Sequence, residues 1–182
     1  MPTLYKIDFP ELRGIKQLLF SSLPLLSDFT SKEIEGLISL VIMSTALRSL
    51  NNIRSMETGA NLVLTGNLNL NDIFMAVEPA EFIQIESNGY TLTVDFPTLR
   101  TVRSIPGGSV TFNNCTSLSL PSLATVNTSL TFAGNFFDRI HLPELQAVNS
   151  LEVVENARLR TIDLPKLESV EGSVLLSGDL DE

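Results

Sequence analysis

Apolar and polar residues alternate in short bursts along this chain, and the bursts recur at a nearly fixed interval. Ser109-Val110-Thr111-Phe112, Ser129-Leu130-Thr131-Phe132, Ser150-Leu151-Glu152-Val153 and Ser173-Val174-Leu175-Leu176 share one pattern. Alternation at period two predicts half-buried strands, with Val110 and Phe112 inward and Thr111 outward. A second phrase precedes the strands: Phe96-Pro97-Thr98-Leu99, Leu120-Pro121-Ser122-Leu123, Leu142-Pro143-Glu144-Leu145 and Leu164-Pro165-Lys166-Leu167, with prolines 24, 22 and 22 residues apart. Three residues past the last apolar position of a strand stands Asn135, Asn156 or Asp179. Self-similarity at this period predicts a solenoid, in which each rung has a bare apolar face and an unpaired strand until it stacks on the next.

The first half carries the same outline. Phe9-Pro10-Glu11-Leu12 matches the proline phrase, Gln17-Leu18-Leu19-Phe20 is its strand, and Leu23-Pro24-Leu25-Leu26 opens the next turn. Strands are expected near Leu18, Leu40, Leu62, Phe82, Val110, Leu130, Leu151 and Val174, giving an all-β solenoid of about eight rungs of roughly 22 residues. Leu47, Leu50 and Ile53 follow at threes, where the backbone curls inward around a rung. Residues 31–37 read either as one helical turn capped by Ser31 or as a loop or 3₁₀ corner. The long step from Phe82 to Val110 predicts an insertion at 103–108, with Pro106-Gly107-Gly108 as a loop. Asn67, Asn88, Asn135 and Asn156 fall at equivalent turn positions. There their amides are expected to form a ladder with neighbouring backbone groups and to use the left-handed conformation that Asn tolerates. The prolines are placed where no ladder hydrogen bond is donated.

Composition narrows the function. The 182 residues suffice for one domain with a sizeable core. Apolar residues make up 43% and charged ones only 18%, below the usual quarter, as fits flanks rich in Ser, Thr and Asn. The net charge of −9 argues against nucleic acid or an anionic membrane as partner. No run is apolar enough for a transmembrane segment. The single cysteine, Cys115, excludes an internal disulfide; it is either a buried structural thiol or one whose partner lies outside the chain. The lone His141 excludes a His-rich metal site.

Nothing in the sequence spells catalysis or a cofactor. The outward strand positions, Val41, Val63, Gln84, Thr111, Thr131, Glu152 and Leu175, hold one carboxylate and no Lys or Arg, whereas paired-carboxylate chemistry needs two nearby acids. Neither a nucleophile elbow nor a phosphate loop is present. The row is a flat, weakly polar ribbon, and Val63, Gln84, Thr111, Thr131, Glu152 and Leu175 are the candidate binding face; the alternative is a solvated sheet with no ligand. Two sequons occur, Asn114-Cys115-Thr116 and Asn127-Thr128-Ser129. Asn127, at a corner before a strand, is the better candidate for N-glycosylation than Asn114, whose middle residue is cysteine; the alternative for both is a plain turn residue.

The run Phe112-Asn113-Asn114-Cys115-Thr116-Ser117-Leu118-Ser119-Leu120-Pro121-Ser122-Leu123-Ala124-Thr125-Val126-Asn127, continuing through Phe132-Ala133-Gly134-Asn135-Phe136-Phe137, resembles fungal cell-wall and sporulation glycoproteins built on receptor L-domain repeats. Leu47-Arg48-Ser49-Leu50-Asn51-Asn52-Ile53 and Phe9-Pro10-Glu11-Leu12 extend the resemblance over nearly the whole chain. It implies a right-handed β-helix with leucine-rich-repeat character, glycolipid (GPI) anchoring at the cell wall or outer face of the plasma membrane, and a non-enzymatic part in cell-wall or ascospore-wall organisation. The implied partners are wall polysaccharide or wall and surface proteins. A receptor-like module that binds a protein or peptide on its sheet face is the alternative. No signal peptide, Ser/Thr-rich stalk, anchor signal or N-terminal cysteine of that family is read in this chain. The expectation is one solenoid domain, 1–182, without terminal caps.

Overall fold

Strand-on-strand stacking accounts for the architecture. In the computed structural model, which describes residues 3–103 and 109–178, eight strands of successive rungs stand side by side. They are Gln17–Leu23, Ser39–Thr45, Ala60–Thr65, Ala80–Glu86, Ser109–Asn113, Thr125–Ala133, Ala147–Val154 and Val174–Ser177. With the short strands Thr101–Val102 and Ser169–Val170 they form one sheet of ten strands, paired in parallel throughout. A second face carries Asp72–Phe74, Leu92–Asp95 and Cys115–Ser119 as a three-stranded sheet, and Arg139–His141 paired with Thr161–Asp163. Lys6–Phe9 pairs with Asp28–Ser31, and Ser55–Met56 with Ala76–Val77. The protein is thus an all-β parallel solenoid of about eight turns of about 22 residues.

Alternation sets the core. The column Phe20, Ile42, Leu64, Ile85, Phe112, Phe132, Val153, Leu176 runs through the interior, each residue the Cα partner of the next. All but Leu176 are buried. Phe112 and Phe132 stack with ring centroids 5.9 Å apart, and Phe137 meets Phe132 edge-on. Leu47, Leu50 and Ile53 are buried as their spacing predicts.

The proline phrase is a β-turn. The N–H of Leu12 donates to the carbonyl of Phe9 at 2.9 Å, and the same closure recurs from Leu99 to Phe96, Leu123 to Leu120, Leu145 to Leu142 and Leu167 to Leu164. Proline occupies the second turn position, where its fixed φ fits and no N–H is required. Leu23-Pro24-Leu25-Leu26 closes in the same way, with the N–H of Leu26 donating to the carbonyl of Leu23 at 2.9 Å, but at a different corner: Leu23 pairs with Thr45, in the column that continues into the asparagines.

That column is a hydrogen-bonded ladder. Asn67 takes the backbone N–H of Thr45 on its Oδ1 at 3.1 Å and donates its amide to the carbonyl of Ile42 at 2.8 Å. Asn88 donates to Leu64 at 2.7 Å, Asn135 to Phe112 at 3.0 Å and Asn156 to Phe132 at 2.9 Å. Asn67, Asn88 and Asn135 are fully buried, so these bonds satisfy groups that water cannot reach. Cys115 occupies the step between Asn88 and Asn135; its N–H donates to Asn135 Oδ1 at 2.9 Å. The left-handed conformation falls one residue earlier than the sequence suggests. Ser44, Gly66, Ser87, Asn114, Gly134 and Glu155 have positive φ, while the ladder asparagines do not. The reason is geometric: the sharp bend must precede the side chain that points back into the corner.

Residues 31–37 form no helical turn. Ser31 ends a strand, Glu35 bridges to Gly14, and Ile34 and Leu37 are fully buried. The register brackets the insertion. Val102 lies opposite Ala80, and Thr111 opposite Gln84, so nine residue steps on one rung match four on its neighbour. The expected loop at Pro106-Gly107-Gly108 and the ladder position of Asp179 lie outside the described residues.

Candidate functional site

Parallel in-register pairing converts the outward strand positions into a straight row. Leu19, Val41, Val63, Gln84, Thr111, Thr131, Glu152 and Leu175 are successive Cα partners on the solvent side of the ten-stranded sheet. At about 4.8 Å per step the row is roughly 34 Å long. All six candidate face residues therefore stand in one line, but they differ in what they present. Leu175 is exposed, and Val63, Gln84, Thr131 and Glu152 are half-buried. Thr111, a short side chain between its neighbours, keeps only 9% of its surface.

The row changes character along its length. Its first three residues are aliphatic, with Leu19 65% exposed, and Met43 and Phe82 stand half-buried in the flanking columns. From Gln84 to Glu152 it is polar, and it ends on the exposed Leu175. Gln84 Nε2 donates to Glu86 Oε2 at 3.0 Å, and Thr131 Oγ1 donates to Glu152 Oε2 at 3.2 Å. These bonds hold the long side chains flat against the sheet. The arrangement offers a surface of fixed spacing and few acids.

The two sequons part company. Asn127 is exposed at the β-bulge between Val126 and Ser129, where the chain turns into the main strand. Asn114 occupies a left-handed corner, φ 62°, and the residue after it, Cys115, is fully buried in the ladder. Burial pushes the Cys115 thiol up from its ordinary value near 9.0 to about 12, as expected for a structural thiol in apolar surroundings.

A cluster on the second face escaped the sequence reading. His141 Nδ1 lies 2.8 Å from Asp163 Oδ2, and Arg139 Nη2 donates to the same oxygen. Arg139, then His141, holds the Asp163 carboxyl below the usual carboxylate range. These residues lie 22 and 24 apart in sequence, so only adding one rung to each position would have brought them together. Among the described residues no group of three His, Cys, Asp or Glu side chains is placed to hold a metal ion, and no helix is long and apolar enough to cross a membrane.

Sequence comparison finds fungal relatives. The chain is 30% identical over 183 residues to the protein ecm33 of Aspergillus fumigatus, covering 97% of this chain and 44% of that protein. It is 32% identical over 143 residues to a cell surface GPI-anchored protein of Arthroderma benhamiae, covering 78% and 35%. It is 24% identical over 182 residues to sporulation-specific protein 2 of Saccharomyces cerevisiae, covering 98% and 35%. The chain spans less than half the length of these curated relatives. No protein-family profile and no solved structure matches it. The distant fungal similarity and the solenoid support a general structural or surface role.

Proposed function

We propose that this chain is a non-enzymatic cell-surface module that contributes to fungal cell-wall organisation as a scaffold or adhesion surface. The row from Leu19 to Leu175 carries the reading: eight residues held in register on a flat sheet form an extended contact surface. The names of the relatives, one a cell surface GPI-anchored protein and one sporulation-specific, support a place in the wall or at the outer face of the membrane. The test is retention of the purified chain by fungal wall fractions. Retention is expected, and combined substitution of Gln84, Thr131 and Glu152 by alanine should abolish it without lowering the melting temperature. Unchanged retention by the triple variant moves the contact off the row; no retention by any wall fraction overturns the reading.

A second reading, a receptor-like module with a protein ligand, draws on the aliphatic stretch Leu19, Val41 and Val63, since cores of protein interfaces are apolar. Protease treatment of the wall fraction separates the two. It removes a protein ligand and leaves polysaccharide in place.

The same reading assigns Asn127 as the glycan acceptor. Its side chain is exposed, whereas Asn114 is followed by a buried residue whose N–H is already committed to Asn135. Secreted from a eukaryotic host, the chain should carry one N-glycan. Asn127→Gln should remove the mass shift, and Asn114→Gln should leave it. A shift that survives Asn127→Gln refutes the assignment.

A further inference from the structure

The cations of this chain avoid its largest sheet. None of the twelve Lys and Arg falls within the ten strands, while Glu86 and Glu152 stand on the outward side. The residues that anchor protein interfaces, Trp, Tyr and Arg, avoid it too. The chain has no Trp, and Tyr5 and Tyr90 lie outside every strand. Between Val63 and Glu152, away from both ends of the chain, the row carries short or already anchored side chains. Ser129 and Ser150 flank it on one side, Thr65 and Glu86 on the other. Gln84 and Thr131 are tied to Glu86 and Glu152, so a ligand there orders few free side chains.

We propose, resting on the wall-surface role above, that this middle stretch holds an uncharged polysaccharide: a β-1,4-linked chain of the chitin type, lying along the row and across the strands. The carboxylates and amide of the row bind sugar hydroxyls. An anionic polymer would meet Glu86 and Glu152 with no cation on the sheet to offset them. A β-1,4-linked chain is a flat ribbon that advances one sugar in close to the rung spacing of about 4.8 Å, so its sugars meet successive rungs. A β-1,3-linked chain coils away from a straight row. From Val63 to Glu152 the row has five positions and spans roughly 19 Å, room for about four sugars. Val63 and Phe82, half-buried at one end, give the acetyl methyl groups an apolar contact.

Chitohexaose is the probe. Added to the 182-residue chain, it should shift the NMR amide signals of Gln84, Thr111, Thr131 and Glu152 and leave that of Ser117, on the second face, in place. Laminarihexaose, a β-1,3-linked glucose hexamer, should shift none of them. Retention on chitin beads should be the same at low salt and at about 1 M NaCl, where charge contacts are screened. Affinity should rise by about tenfold or more from the disaccharide to the tetrasaccharide, as further rungs are reached, and level off beyond it. Thr131→Arg, a long cation in the middle of the row, should weaken binding by about tenfold or more, and the exposed Ser117→Arg should not. Thermal melts check that both variants fold, and the shifts in the parent locate the site without them. Retention by wall fractions with no chitohexaose shifts on the row overturns this proposal and leaves the scaffold role standing. No wall retention at all overturns both. Salt-sensitive retention on chitin, equal shifts with laminarihexaose, or shifts confined to another face also overturn the proposal.

Discussion

The side-chain oxygen of Asn88 accepts two hydrogen bonds from Asn67: one from its backbone N–H at 3.1 Å, one from its amide at 3.0 Å. Asn88 in turn donates to the carbonyl of Leu64. One buried side chain thus binds three groups on the neighbouring rung. Asn88→Ala removes all three bonds, while the Asn67 amide keeps the one to Ile42, and an unsatisfied buried group costs about 1–3 kcal/mol. The expected loss in urea denaturation is about 3 kcal/mol or more. The exposed Asn61→Ala should stay within about 0.5 kcal/mol of the parent.

Gly89 is fixed by space. A methyl group there would lie 2.4 Å from the carbonyl oxygen of Leu70 and 3.1 Å from that of Leu68, both backbone atoms that cannot swing aside. Gly89→Ala should cost on the order of 2–4 kcal/mol through forced backbone movement. At Gly14 nothing lies within 4 Å of an added methyl, so Gly14→Ala should be neutral or stabilise by up to about 1 kcal/mol. A pair of thermal melts checks both.

Burial pushes the Cys115 thiol up to about 12 in the folded protein from its ordinary value near 9.0. A raised folded value means the unfolded state releases its proton first. The stabilisation is therefore complete below about pH 9 and is lost as pH rises toward 12. Cys115→Ala should flatten that part of the stability profile while lowering stability at neutral pH. In the parent, a thiol reagent should react at pH 8 only as fast as the ladder opens.

Asp163 should titrate below 3.8, held down first by Arg139. Its depressed folded value favours the folded state above about pH 4, and that contribution fades as pH falls through the folded value. Carboxyl carbon shifts in NMR report the midpoint directly. Arg139→Ala should move it upward further than His141→Ala; the reverse order would contradict the assigned geometry.

What the chain revealed in advance depended on whether neighbouring rungs repeat the same residue type. Leu18, Leu40, Leu62, Leu130 and Leu151 announce their strands because each strand is long and one-sided. Asp72–Phe74 and Arg139–His141, three residues each, are too short for alternation to stand out. The asparagine ladder was legible at Asn67, Asn88, Asn135 and Asn156. Thr45 and Cys115 share the column but not the side-chain chemistry, so residue identity hid them. The left-handed corners stand one residue before the ladder asparagines, because Ser44, Ser87 and Glu155 adopt a conformation that residue type alone assigns to Asn. The outward row was legible residue by residue, since period two fixes sidedness; its change from aliphatic to polar only matters once the rungs align.

The 27-residue step from Gln84 to Thr111 leaves both residues in register, side by side on the row. The face therefore keeps its register although that rung is longer than its neighbours. The molecule behaves as a ruler whose graduations are fixed by sheet spacing and not by sequence length. Lengthening by whole turns extends the measured distance, while lengthening within a turn leaves the marks where they stand.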